Sequence, residues 1–108
     1  MITFGPALTL LLAQGCVPVW LPPADEVLLA AGLRHDPHST LEGLGEGRAL
    51  VLDRCANCHA PPTPTVIHDE RWPDLLPRMV ERAELTAEET ERLLAYLEAG
   101  ADVPPPAD

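Results

Sequence analysis

Three observations on this 108-residue sequence predict an all-α fold. Apolar residues recur at the three- and four-residue spacing of a helix, and no stretch shows the alternation of a half-buried strand. Capping residues stand just before these stretches, most clearly in Thr86-Ala87-Glu88-Glu89, which reads as a capping box. Thirteen prolines break the remainder into irregular segments and argue against a sheet. A chain of this length makes one small domain with a modest core. Its aromatic residues are few (Phe4, Trp20, Trp72 and Tyr96), which fits an interior completed by something besides side chains.

Residues 1–16 carry no charged side chain and contain the apolar run Ala7 to Ala13, so they read as a signal peptide. The run is too short to span a bilayer. Its end, Ala13-Gln14-Gly15-Cys16, resembles a bacterial lipobox, in which a small residue precedes a cysteine that is lipidated and becomes the new N-terminus. Ala13 stands where leucine is commonest in that pattern. Residues 17–39 are expected to be a linker with a possible short helix. Within it, Val-Pro-Val-Trp-Leu-Pro-Pro at 17–23 reads as a proline-rich tether. Residues 25–33 can form the short helix, capped by Asp25 and ending near Gly32, and residues 34–39 are turn chemistry.

The body of the fold is expected over 40–100. Ser39 or Thr40 can cap a helix to about Asp53, with Glu42 in its first turn. Leu41, Leu44, Arg48, Val51 and Leu52 supply its stripe at three- and four-residue spacing. Gly43, Gly45 and Gly47 each weaken it by about 1 kcal/mol relative to alanine, so a close approach to another helix explains such a glycine better than propensity does. Residues 60–69, with Pro61, Pro62 and Pro64, are expected to be an extended loop. Positions 72, 75, 76, 79, 80 and 83 then form one apolar helical face. Pro73 suits the start of that helix, whereas Pro77 predicts a kink or two short pieces. From Thr86 a last helix runs through Glu98 and ends at Gly100, with Thr90, Leu93, Leu94 and Leu97 inward and Tyr96 beside them. Residues 101–108 are expected to be a disordered tail.

Seventeen acidic residues against seven arginines give a formal charge of −10. That excludes nucleic acid as a partner and favours proteins with basic docking surfaces.

The chemistry concentrates in Cys55-Ala56-Asn57-Cys58-His59. C-x-x-C-H is the attachment pattern of a c-type haem. The two thiols add across the two vinyl groups of the porphyrin, and the imidazole beside them can ligate the iron. A thioredoxin-like redox pair would instead want a neighbouring βαβ pattern, and structural zinc would want a second pair of ligands. Neither is in the sequence. The odd cysteine, Cys16, has no partner once Cys55 and Cys58 are used, in keeping with a lipid anchor. Export fits as well, because c-type haem is attached outside the bacterial cytoplasm.

A helix ending in this motif, a proline loop, a Trp-containing segment with a methionine, and a capped C-terminal helix together resemble the small class I cytochromes c. The resemblance covers about Leu41 to Ala99. It implies three to five short helices wrapped around one covalently attached haem c. It also implies that the first and last helices of that stretch cross through Gly47 and Val51, against Leu93, Leu94, Tyr96 and Leu97. The carbonyl of Ala60 or Pro61 would orient the proximal imidazole. Cofactor-binding residues would then be Cys55, Cys58, His59, Met79, Trp72 and Arg78, with His59 and Met79 as the iron ligands. Trp72 would pack near the haem and Arg78 would pair with a propionate. For the sixth position His68 is a rival to Met79, His35 and His38 are more remote ones, and an open site is a further alternative.

Met/His ligation raises the potential of haem iron and leaves no site for substrate. The implied function is electron transfer by a monohaem protein cycling between Fe(III) and Fe(II), not an enzyme in its own right. The alternative is a haem-bearing subunit of a larger membrane-associated or periplasmic oxidoreductase complex. The expected location is periplasmic, or anchored by lipidated Cys16 on the outer side of the cytoplasmic membrane.

Overall fold

The structure is a computed structural model and describes residues 20–55 and 62–106. The export segment 1–16, residues 17–19 of the expected tether, and residues 56–61 with Cys58 and His59 lie outside the described residues. Among the described residues there are four α-helices and one 3₁₀ turn, with no β-strand. The fold class is all-α. No helix among these residues is long and apolar enough to cross a membrane.

Helix α1 spans Glu26–His35, and Asp25 Oδ1 accepts hydrogen bonds from the Val27 and Leu28 amides at 3.1 Å each. It runs three residues beyond the expected end near Gly32. The chain leaves the helix only at Asp36, which takes the extended conformation favoured before Pro37. Helix α2 spans Leu41–Arg54 and is capped by Thr40, whose Oγ1 accepts from the Gly43 amide at 3.0 Å.

The 3₁₀ turn Pro64–His68 occupies part of the expected extended loop. Pro64 starts it, where its missing N–H is not needed, and the ring is buried against Gly100. Helix α3, Trp72–Ala83, is a single element with Pro77 inside it. Two short pieces are therefore ruled out, although Pro77 still removes one donor from the ladder. Glu84 ends α3 in the left-handed region (φ 54°), and the Leu85 amide returns to the Val80 carbonyl at 3.1 Å.

Helix α4 spans Ala87–Ala101 and begins with the complete capping box. Thr86 Oγ1 accepts from the Glu89 amide, and Glu89 Oε1 accepts from the Thr86 amide. The helix passes through Gly100, and the Val103 amide bonds the Gly100 carbonyl, so the tail begins later than expected. Its final residues, 107–108, lie outside the described residues.

Helices α2 and α4 form the most extensive helix pair, and α1 lies against both. The crossing point is Gly47. A methyl group there would overlap the Arg92 carbonyl oxygen and come within 2.7 Å of Tyr96 Cβ. Backbone-to-backbone contact is possible only without a side chain. Leu28, Leu44, Val51, Leu93, Tyr96 and Leu97 fill the core around this crossing. Tyr96 lies at its centre, not beside it, whereas Thr90 and Leu94 are half-buried.

The tether reading fails for Leu21 and Pro22, which are both buried. The Pro22 carbonyl accepts from the Tyr96 hydroxyl at 2.7 Å and from Arg48 Nε at 3.1 Å. This segment and α1 belong to the same core as α2 and α4, so the expected boundary between 39 and 40 is not a structural one.

Candidate functional site

One cavity of about 780 Å³ opens where the end of α2, the 3₁₀ turn and α3 meet. Cys55 comes to it from α2. Its amide continues the helix by bonding the Val51 carbonyl, and its side chain is buried. That burial pushes the thiol pKa up, so at neutral pH the sulfur is held as the uncharged thiol.

Met79 faces the same cavity from α3, together with Leu75 one turn before it. Both are half-buried. Val66 adds an apolar wall from the 3₁₀ turn. Of the expected amphipathic stripe, Leu75, Met79 and Ala83 line the cavity, while Leu75, Leu76 and Met79 also pack against the edge of the core.

Three of the seven arginines line this cavity in a strongly acidic chain. Arg78 and Arg82 lie one helical turn apart, and among the described residues neither has a carboxylate within 4.0 Å. Arg54 is already engaged. Its Nη1 donates to the Ala83 carbonyl at 2.9 Å and its Nη2 to Glu89 Oε2 at 3.0 Å. Glu89 has its pKa lowered, first by the bond from the Thr86 amide and also by the nearby Arg54 charge.

Of the residues singled out in the sequence, Cys55, Arg78 and Met79 come together on this cavity. Trp72 does not line it; the indole is buried in the core at the start of α3. Cys58 and His59 fall outside the described residues, as do Ala60 and Pro61. His35, His38 and His68 are exposed and away from the cavity, and His35 Nε2 lies 2.7 Å from Asp102 Oδ2.

Arg54 and Arg82 went unnoticed in the sequence. The signal for Arg82 is its spacing of four from Arg78, and that for Arg54 is its place next to Cys55. The lining joins a thiol, a thioether, apolar walls and three guanidinium groups. Such a set suits a bulky apolar ligand that carries anionic groups at its edge. No protein-family model, no curated protein and no solved structure matches this chain.

Proposed function

We propose that the chain is an electron-transfer protein holding one covalently attached haem c in this cavity. The observation that carries the reading is that Cys55, the first thiol of the C-x-x-C-H motif, and Met79 line one cavity although they are far apart in sequence. The residues present fit the group. Cys55 and Cys58 would bind it through thioether links, and His59 and Met79 would hold its iron. Arg78 would pair with a propionate, and Arg82, which lines the same cavity one turn on, would do the same. Trp72 would act from behind, by fixing the start of α3 in the core.

Bound in this way, the group supplies one-electron chemistry between Fe(III) and Fe(II) at a potential raised by the thioether ligand. The chain's own part is to attach, orient and shield. Each thiol would supply both sulfur and hydrogen to one vinyl group, so that attachment would need no oxidant or reductant. Val66 and Leu75 would give the group apolar walls to pack against. No residue is needed as acid, base or nucleophile in turnover. Redox partners with basic surfaces, export, and a lipid anchor at Cys16 complete the proposal.

The test is to express the full-length chain with the haem-maturation machinery and record oxidised and reduced visible spectra. The expected result is a c-type haem spectrum with the weak far-red band of methionine bound to ferric iron, lost in Met79→Ala. Haem without that band would shift the sixth position to a histidine or leave it open. A haem-free product would refute the proposal.

A further inference from the structure

Helix α3 carries Met79 but has little holding it in place. Trp72 fixes its first turn in the core, and the positions that follow along its cavity face are half-buried. At its other end, among the described residues, the side-chain hydrogen bond that reaches α3 from another helix comes from Arg54. Nη1 of Arg54 donates to the Ala83 carbonyl, one of the last-turn acceptors that the helix itself cannot satisfy. A guanidinium at a helix C-terminus also meets the negative end of the helix dipole.

The other arm of the fork makes this contact rigid. Nη2 donates to Glu89 Oε2, while Glu89 Oε1 is occupied by the Thr86 amide of the capping box. A chain of hydrogen bonds therefore runs from the N-terminus of α4 through Glu89 and Arg54 to Ala83. Ala83 lies four residues after Met79, one turn further along the same face.

We infer that Arg54 is a positioning residue: braced by Glu89, its guanidinium holds the last turn of α3 at the Ala83 carbonyl and so keeps the Met79 side chain against the cavity. The inference rests on the reading of Met79 as the sixth iron ligand. It goes beyond that reading by naming what makes the ligand firm.

The test compares holoprotein of the full chain with Arg54→Met, Arg54→Lys and Glu89→Gln, reading carbon monoxide binding to the ferrous protein and amide hydrogen exchange. In Arg54→Met, carbon monoxide should bind faster by about tenfold, the effect of losing one charge-assisted hydrogen bond. The amides of Val80 to Leu85 should exchange faster by a similar factor, while those of Leu93 to Leu97 change by less than about twofold. Arg54→Lys keeps the charge without the fork and should fall between parent and Arg54→Met. Glu89→Gln keeps an oxygen for the capping box and weakens the brace, so it carries the same test should Arg54→Met fail to fold.

Unchanged carbon monoxide binding and unchanged exchange in α3 would overturn the inference. So would equal acceleration in α3 and α4, which would make Arg54 a general brace of the fold. The parent spectrum separates this from failure of the functional reading. A parent without haem, or without the far-red band, refutes Met79 ligation itself, and the inference falls with it.

Discussion

Helices α1, α2 and α4 bury Leu28, Leu44, Val51, Leu93, Tyr96 and Leu97 to 2% exposure or less, whereas α3 buries Trp72 and leaves Leu75, Leu76, Met79, Val80 and Ala83 half-buried. The difference does not come from weaker patterning, since α3 has a clear apolar face of its own. In the three-helix core each apolar face meets another, down to backbone contact at Gly47. The face of α3 meets a cavity lined in part by arginines. An amphipathic face of this kind needs a complementary apolar surface, and the proposed haem would provide one.

Matched truncations in the two regions should give the largest contrast. Leu97→Ala is expected to cost about 3 kcal/mol and Leu75→Ala less than about 1 kcal/mol, since the first opens a cavity in packed surroundings and the second enlarges an existing one. Urea unfolding of both variants checks this, and equal losses would break the comparison. Gly47→Ala should cost about 2 kcal/mol, because the methyl must push α2 away from the Arg92 carbonyl.

Tyr96 sharpens the contrast from inside the core. Burial pushes its pKa up to about 12. A raised folded-state pKa means that its contribution is complete below the ordinary tyrosine value and is lost as pH rises through about 12. The sequence has a single tyrosine, so the change in ultraviolet absorbance as tyrosinate forms reports Tyr96 alone. Tyr96→Phe should lose about 1 kcal/mol at neutral pH by removing the bond to the Pro22 carbonyl, and should flatten the alkaline fall in stability.

On the side of α3, Glu84→Gly should add about 1 kcal/mol, because glycine tolerates the left-handed conformation in which Glu84 is held. The smallest effect is expected at Asp69, whose pKa is lowered to about 2, first by the side-chain hydrogen bond from Arg71 and then by the bond from its amide. A lowered folded-state pKa contributes above the ordinary carboxylate range and is lost as pH falls through about 2. An NMR titration of the Asp69 carboxyl, repeated in Arg71→Gln, should show the pKa return towards its ordinary value.

The parts of the fold that were legible in the sequence are those governed by local chemistry. Asp25, Thr40 and the Thr86–Glu89 box act within three residues, so the starts of α1, α2 and α4 could be read directly. Gly47 was legible because a glycine inside a helix calls for a reason, and the crossing with α4 provides one. Leu21 and Pro22 were misread because proline-rich composition suggests a tether, while their burial depends on Tyr96 and Arg48, remote in sequence. The place of Tyr96 in the core was missed for the same reason. Pro64 gave a loop by composition, yet its ring packs on Gly100 and starts a 3₁₀ turn. At the site, Cys55, Arg78 and Met79 were chosen on sequence grounds and do line one cavity, whereas Arg54 became visible only once the Ala83 carbonyl and Glu89 were placed around it.

The docking of Pro22 also sets a mechanical limit. Five residues separate Cys16 from Pro22, and the six steps between them reach only about 20 Å when fully extended. A chain acylated at Cys16 would therefore be moored on a very short leash, with its Pro22 face turned towards the lipid. It could not swing freely through the surrounding fluid, and on the proposed electron-transfer reading its partners would have to lie within one protein diameter of the same bilayer.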